Sequence, residues 1–271
     1  CGGIDRWAWR ATQPRSAGAL GGRWCALVRV ALIGAGHHAR DHAQAITELS
    51  RAGRNITVSA IVDSDATRAS ALAGSMGVSW CTELAAVNQD TIDGADICTP
   101  TGSHRAVAMT CASLGLPTLI DKPLAATLAD ADAIIAAFEA ADTRLTPGHS
   151  TRFVPALRTL AGVAHSGRLG EVTLVSVSHA QGYAWPGGWR AWQLDPASSG
   201  GRIIHFGIHD VDLACWIAAD RVARVRATAT PAASGPTGAW SSASIQLMFE
   251  GGCLGMITQA WDVRPPSLWR K

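Results

Sequence analysis

The sequence predicts an α/β fold in which a doubly wound parallel sheet is followed by an α+β domain with a mainly antiparallel sheet. Short apolar runs at 28–33, 56–62 and 95–99 are typical of buried strands, and helical patterns follow the first two. Alternating strands and helices are typical of a parallel sheet with helical crossovers. Further along the chain, segment 170–180 alternates apolar and polar residues, which indicates a strand with one buried face in an antiparallel sheet.

A glycine-rich turn joins the first predicted strand to a helix. Gly34 and Gly36 open a G-x-G-x-x-A pattern that ends at Ala39, and apolar residues then recur at helical spacing. The first glycine permits a tight turn, the second lets a pyrophosphate approach the backbone, and the small Ala39 lets the helix pack closely. Free N–H groups at the helix N-terminus can then bind phosphates. The pattern predicts a Rossmann-type dinucleotide site; a tight turn without a ligand is the alternative.

An acidic residue, Asp63, ends the second predicted strand, 56–62. A carboxylate at this place can accept hydrogen bonds from both hydroxyls of the adenosine ribose, which favours NAD over NADP. Arg68 lies about one helical turn further on and can instead meet a 2′-phosphate, although a solvated helix face is the preferred interpretation of this residue. NAD is therefore the expected cofactor, with NADP as the alternative.

Composition and charge exclude several classes of function. The 271-residue chain has a formal net charge of +2, which gives no electrostatic footprint for nucleic acid. No apolar run approaches the roughly 20 residues of a membrane span. The seven cysteines include no C-x-x-C pair, so they predict reduced thiols in a cytoplasmic protein.

Two pairs of histidines are spaced i, i+4 along predicted helices. They are His38 with His42, and His205 with His209. Neither pair has an obvious further set of ligands in the sequence, so no bound metal is expected.

Polar segments follow two further predicted strands. The strand at 95–99 ends in the sequence TPTGSH, and the strand end at 119–120 is followed by Asp-Lys-Pro at 121–123. In open α/β sheets, ligands bind at this carboxyl edge. Lys122 is therefore a candidate site residue, although a surface lysine in a turn is the better interpretation of the tripeptide taken alone.

The segment 200–218 is predicted to be a helix with two neighbouring stripes. The apolar stripe predicts a face buried in the core, and the polar stripe is either a solvated flank or the lining of a site. Gly207 costs about 1 kcal/mol relative to Ala within a helix, so it suggests that another group approaches closely. The apolar stripe consists of Ile204, Ile208, Val211 and Cys215, and the polar stripe of His205, His209, Asp212 and Trp216.

Three motifs together resemble those of the glucose–fructose oxidoreductase/inositol dehydrogenase family (the Gfo/Idh/MocA group). They are TPTGSH, the DKP turn and the sequence GGRIIHFGIHDVD at 200–212, and the resemblance covers about residues 28–262. It implies an NAD(P)-dependent oxidoreductase that transfers a hydride between nicotinamide and a hydroxyl or keto carbon of a sugar, cyclitol or related polyol. A non-catalytic nucleotide-binding paralogue or sensor is the alternative.

The resemblance also implies a domain organisation. Residues 28–150 would form the dinucleotide-binding domain, and 151–271 a substrate and oligomerisation domain that looks C-terminally truncated. Family members often pair through the bare face of the second sheet, so a homo-oligomer is expected of the full-length protein. A cis Lys122–Pro123 bond is implied as well. The arginine-rich segment 1–27 has no apolar period and is expected to be a poorly ordered extension.

Roles for individual residues follow from the resemblance. Lys122 and His209 would be catalytic, because His209 can accept the hydroxyl proton near neutrality and Lys122 can stabilise the developing alkoxide. His205, also expected at the substrate, stands where the family usually has an aspartate, which removes a negative charge beside Lys122 and His209. Trp192 belongs to a tryptophan-rich loop that could form the wall of a sugar site, although ordinary packing is the more usual interpretation of such residues. The other substrate-binding residues would be Asp212, Arg152 and Trp192, and the cofactor-binding residues Gly34, Gly36, His37, His38, Asp63, Thr99, Pro100, His104 and Lys122.

Overall fold

The computed structural model describes residues 26–182, 191–231 and 240–263. Within these residues the chain forms a six-stranded parallel sheet and a four-stranded mixed sheet. This confirms the predicted fold class. The extension expected at 1–27 lies almost entirely outside the described residues.

The first sheet is built from the apolar runs that the sequence shows. Its strands are β1 (Val28–Ile33), β2 (Ile56–Val62), β3 (Ser79–Cys81), β4 (Gly94–Ile97), β5 (Thr118–Asp121) and β6 (Leu145–Gly148). They lie in the order β3-β2-β1-β4-β5-β6, and every neighbouring pair is parallel. The order reverses between β1 and β4, and sheets of this kind bind nucleotides at that reversal.

Helices cover both faces of this sheet and create two apolar cores. One core contains buried side chains of the first two helices, including Ala39 and Leu72, and the other contains those of the next two, including Cys111 and Phe138. The fully buried Ala39 lets the first helix lie close to β1, as the glycine motif predicts. The helices are α1 (His37–Arg51), α2 (Ala66–Met76), α3 (His104–Ser113) and α4 (Leu128–Ala140).

The second sheet follows a helix, α5 (Pro155–His165). It lies in the order β7-β10-β9-β8, with β7 and β10 parallel and the other two pairs antiparallel. One long helix, α8 (Gly201–Ala218), contacts three strands of this sheet. The remaining elements are α6 (Ala191–Leu194), α7 (Pro196–Ser199), β7 (Leu174–Gly182), β8 (Val222–Pro231), β9 (Trp240–Phe249) and β10 (Leu254–Val263).

The apolar stripe predicted for α8 is wrong at its N-terminal end. Ile204 is 42% exposed, whereas Leu213, Ala214 and Ile217 are buried in the core of the second sheet. Val211 and Cys215 only flank that core and stay partly buried. The reason is that α8 packs against the sheet on one side and reaches the first domain on another, so a single stripe does not describe its buried surface.

Gly207 lies where α8 approaches β10, as its position in the helix suggests. A Cβ atom on Gly207 would overlap the side-chain amide of Gln259. That amide is fully buried, and its Nε2 donates to the buried Asp210 carboxylate at 2.8 Å. His179 on β7 lies 3.2 Å from the same carboxylate. This polar network therefore requires glycine at position 207.

Replacing Gly207 with Ala should lower the free energy of unfolding by about 1–3 kcal/mol, because the new methyl group must displace an amide that is held by Asp210. Chemical denaturation measures the effect. The matched control is Gly74→Ala in α2, where a Cβ meets no atom within 4 Å. That change should stabilise the protein by about 0.5–1 kcal/mol. A Gly207→Ala variant at least as stable as the wild type would contradict the close approach.

Candidate active site

The glycine-rich turn between β1 and α1 is open on the side that a phosphate would approach. Gly34 has a φ of +105°, and a Cβ there would lie 2.9 Å from the carbonyl oxygen of Cys98. A side chain at Gly34 is therefore excluded both by conformation and by space. A Cβ on Gly36 would meet no atom within 4 Å, so this glycine leaves room for a ligand at the start of α1.

The carboxylate of Asp63 is held at the end of β2. It accepts hydrogen bonds from the backbone N–H groups of Ala35 (2.7 Å) and Asp65 (2.8 Å), and from the Arg68 guanidinium (3.1 Å). Arg68 is about half exposed, but it contacts both Asp63 and Asp65. Its exposure is compatible with the expected solvated helix face, and the two ion pairs add a contact that the sequence did not indicate. The structure places the arginine directly beside the acid expected to bind the ribose.

NAD should bind at least about 10-fold more tightly than NADP, because Asp63 repels a 2′-phosphate and accepts hydrogen bonds from a free ribose diol. Titrations followed by tryptophan or nicotinamide fluorescence measure both affinities. Asp63→Ala should reduce the ratio towards one. Asp132→Ala is the matched control, because Asp132 is exposed on α4 and should leave the ratio unchanged. Tighter binding of NADP to the wild type would contradict the assignment and favour Arg68 as a phosphate ligand.

The remaining expected cofactor residues follow the carboxyl ends of β4 and β5, or begin α1. Thr99 Oγ1 is buried without a hydrogen-bond partner among the described residues, as expected of a group reserved for a ligand. Pro100 and His37 are exposed. His104 is almost fully buried, and its ring nitrogens lie 3.0 Å from the carbonyl oxygens of Thr99 and Pro123. His104 therefore ties the two strand-end loops together and would act on a cofactor only through them.

A group of three potential metal ligands lies next to the glycine turn. His42 Nδ1, an Asp96 carboxylate oxygen and Cys98 Sγ all lie within 4.8 Å of one another. Asp96 and Cys98 lie more than 50 residues from His42 in the sequence, so no local pattern indicated this grouping. His42 Nδ1 is 2.8 Å from Asp96 Oδ2, and this hydrogen bond raises the pKa of His42. Burial raises the pKa of the Cys98 thiol. His42 and Asp96 form an ion pair beside the neutral Cys98 thiol, and this pair joins α1 to β4.

Replacing His42 with Asn should lower the free energy of unfolding by about 2 kcal/mol near pH 6, because the buried Asp96 loses a charged partner. The folded pKa of His42 lies above its unfolded value of about 6.5. The stabilisation is therefore fully present below pH about 6.5 and is lost as pH rises through the folded pKa. Urea denaturation between about pH 6 and 9 should show this gap closing. A constant gap, or an Asp96→Asn variant that keeps the wild-type pH dependence, would refute the pairing.

Lys122 lies in the turn after β5 and is only 8% exposed. Its Nζ donates to the carbonyl oxygen of His205 on α8 at 3.0 Å and lies 5.1 Å from the centre of the Phe206 ring. Burial lowers the pKa of Lys122, and the neighbouring Asp121 opposes that effect. The Lys122–Pro123 bond is cis, which confirms the prediction.

Asp121 is a site residue that sequence reasoning missed. Its side chain is mostly buried, and it accepts the backbone N–H of Lys122 at 2.7 Å and faces His38 Nε2 at 3.4 Å. Burial opposes ionisation, but His38 and Lys122 together hold the pKa of Asp121 down to about 2. The carboxylate thus joins the start of α1 to the Lys122 turn. The only local signal was its place beside Lys122 at the ligand edge.

The two histidines of α8 lie near Lys122 and are kept neutral. The His205 ring is 4% exposed and contacts Trp192 and Phe206, with ring centres 5.1 and 4.4 Å apart. Burial and then Lys122 lower its pKa to about 3. Burial, followed by Lys122 and His149, lowers the pKa of His209 to about 4. Both rings are therefore deprotonated near neutral pH.

Arg152 and Asp212 bind each other. The Arg152 guanidinium donates two hydrogen bonds to the Asp212 carboxylate, at 2.8 and 2.5 Å. His149 Nδ1 lies 3.6 Å from the same carboxylate, which is too far for a hydrogen bond. The pair joins the segment after β6 to α8, so any substrate hydroxyl bound by Asp212 would meet a carboxylate that is already oriented.

A parallel sheet of this order, with an open glycine turn at the point where the order reverses, defines a dinucleotide-binding protein of the Rossmann class. The chain belongs to the GFO/IDH/MocA family of oxidoreductases. Residues 28–149 match the domain described as "Oxidoreductase family, NAD-binding Rossmann fold", and residues 157–270 match the "GFO/IDH/MocA C-terminal domain".

Individual relatives are similar at moderate identity. The rhizopine catabolism protein MocA of Rhizobium meliloti is 29% identical over 194 residues, which are 70% of this chain and 56% of the relative. Inositol 2-dehydrogenase 1 of Saccharopolyspora erythraea is 27% identical over 221 residues, 76% of this chain and 59% of the relative. The chain thus spans less than two thirds of the length of these two relatives.

A solved structure is also similar. An oxidoreductase from Agrobacterium radiobacter, in complex with NAD⁺, L-tartaric acid and magnesium, superimposes with a TM-score of 0.74 at 26% identity. The match covers 86% of this chain and 66% of that chain. No helix within the described residues is long and apolar enough to cross a membrane.

Proposed function

We propose that this chain belongs to an NAD-dependent dehydrogenase or reductase acting on a CH–OH group of a sugar, cyclitol or related polyol. The observation that carries the proposal is the contact between Lys122 and α8. It brings a buried ammonium from the ligand edge of the first sheet to the helix that carries His209. The names of the relatives, a rhizopine catabolism protein and an inositol dehydrogenase, support this class of substrate.

The residues present fit a dinucleotide. The Gly34–Gly36 turn leaves space at the start of α1, Thr99 Oγ1 is unpartnered, and Asp63 stands at the end of β2. His37 and His38 occupy the first turn of α1, where their backbone N–H groups would be available to a phosphate of the cofactor. When bound, NAD supplies the acceptor for the hydride that leaves the substrate carbon.

The proposed proton transfer uses His209 and Lys122. Neutral His209 accepts the proton of the substrate hydroxyl as the hydride departs, and the imidazolium that forms returns the proton in the reverse reaction. Lys122 donates a hydrogen bond to the same oxygen and stabilises the negative charge that develops there. Its buried position strengthens this interaction, because little water screens it. Asp212, oriented by Arg152, holds a second substrate hydroxyl, and His205 and Trp192 form the wall beside Lys122.

A panel of myo-inositol, D-glucose and D-apiose with NAD tests this function. Lys122→Ala should reduce kcat about 10²–10³-fold, with NAD affinity within about 3-fold of the wild type. His209→Ala should reduce turnover similarly. Turnover that survives His209→Ala unchanged would exclude this mechanism. A second candidate function is a nucleotide-binding sensor, and the presence of His205 where the family usually has an aspartate favours it. NAD binding without turnover of any polyol would support this second candidate.

The identity of residue 205 should control the acidic limb of the pH–rate profile. The low pKa of His209, about 4, places that limb well below neutrality. His205→Asp should move the limb upward by about one pH unit, because a nearby negative charge favours the imidazolium form. His205→Asn is the neutral control and should not move it upward. Equal profiles for the Asp and Asn variants would contradict this electrostatic coupling.

The protein is further proposed to be cytoplasmic and to self-associate. The five described cysteines are free thiols. One face of the second sheet exposes apolar side chains, including Leu174, Met248, Leu254 and Met256, each more than 40% exposed. Two such faces can bury one another. Sedimentation at micromolar concentration should show a dimer that Met256→Glu dissociates, whereas a monomeric wild type would contradict the proposal.

A further inference from the structure

The ring of His209 is held by a hydroxyl group from outside its own helix. His209 Nδ1 lies 2.7 Å from Thr151 Oγ1, which is 58 residues away in the chain. Thr151 belongs to a short 3₁₀ turn, Ser150–Phe153, that follows β6. This contact joins the segment leading out of the first sheet to the face of α8 that carries the proposed base.

Thr151 is fixed in place by contacts of the residues that follow it. Its carbonyl oxygen accepts the N–H of Val154 at 3.2 Å, which closes the 3₁₀ turn. The next residue, Arg152, is anchored to Asp212, which lies three residues after His209 on α8. The turn is thus attached to α8 at two adjacent points, so the Thr151 hydroxyl has little freedom to leave the imidazole.

We infer that Thr151 is a positioning residue that fixes the ring orientation and tautomer of His209, so that Nδ1–H donates to Thr151 Oγ1 and Nε2 is free to accept the substrate proton. The inference rests on the proposed role of His209 as the base. In the opposite arrangement the hydroxyl would donate to Nδ1, and Nε2 would carry the proton and could not accept another. The chosen arrangement also persists when the ring is protonated, because Nδ1–H donates in both states and no group must reorient during the reaction.

Several charged groups face His209 besides this hydroxyl. Lys122 from the β5 turn and His149 from the segment after β6 lower the pKa of His209. Asp121 and Asp210, which is the next residue on α8, raise it. Thr151 is uncharged, so its contribution is a hydrogen bond. Loss of that acceptor disfavours the imidazolium, which should lower the pKa of His209 further and move the acidic limb downward.

Two substitutions separate positioning from packing. Thr151→Val keeps the shape of the side chain but removes the hydroxyl, and Thr151→Ser keeps the hydroxyl. Thr159→Val is the matched control, because the Thr159 hydroxyl bonds only to the Pro155 carbonyl oxygen on exposed α5. With NAD and the most active substrate of the polyol panel, Thr151→Val should reduce kcat about 10–100-fold with KM within about 2-fold. Thr151→Ser should restore kcat to within about 3-fold, and Thr159→Val should match the wild type.

A spectroscopic measurement decides the tautomer without relying on turnover. Long-range ¹⁵N–¹H correlation spectra of histidine-labelled, NAD-loaded protein report which imidazole nitrogen carries the proton, and His209→Asn identifies the signal. The wild type and Thr151→Ser should show protonated Nδ1, and Thr151→Val should lose that preference. Protonated Nε2 in the wild type overturns the inference, as does a Thr151→Val variant with unchanged kcat and tautomer. If His209→Ala keeps full turnover, the proposed function fails instead, whichever tautomer is observed.

Discussion

The burial of one ammonium group, that of Lys122, holds the arrangement of the site together. Moving an ammonium out of water costs several kcal/mol, so its surroundings must compensate. They do so through the His205 carbonyl oxygen at 3.0 Å, the face of the Phe206 ring and the charge of the adjacent Asp121. The first and third partners come from different domains. The buried ammonium of Lys122 therefore holds the end of β5 next to α8.

Histidine at position 205 changes how that ammonium is balanced. An aspartate would place a negative charge beside Lys122, whereas the His205 ring is neutral and makes edge-to-face contacts with Trp192 and Phe206. Lys122 then acts on His209 with less opposition, which keeps this histidine deprotonated. The lowered pKa keeps His209, the proposed base, unprotonated over a wide pH range, and it also makes the imidazole bind a proton less strongly.

Further polar contacts position the elements around this centre. The ion pair between His42 and Asp96 attaches α1 to β4 beside the glycine turn. The Arg152–Asp212 pair and the Thr151–His209 hydrogen bond attach the segment after β6 to α8. Buried or partly buried groups of this kind are costly when unpaired, so they strongly favour one relative placement of the elements.

Features that depend on local chain geometry could be predicted from the amino acids alone. The apolar run at 56–62 predicted β2 with its observed bounds, and the Gly34–Gly36 pattern located the open turn before α1. These predictions succeed because strand and helix periods, and the backbone freedom of glycine, arise within a few residues. Resemblance between motifs added the cis Lys122–Pro123 bond, which no local pattern indicates.

Which side chains contact each other could be seen only in the folded protein. The helical periodicity predicted that Ile204 lies in the core, but this residue is 42% exposed. The prediction failed because α8 packs against elements of both domains, and a periodic pattern does not show which elements a helix contacts. The pairing of Asp212 with Arg152, of Asp96 with His42 and of Thr151 with His209 spans 54–60 residues of sequence. Contacts over such separations depend on how whole elements pack, and that packing is set by the summed burial of the three apolar cores rather than by the residues that touch.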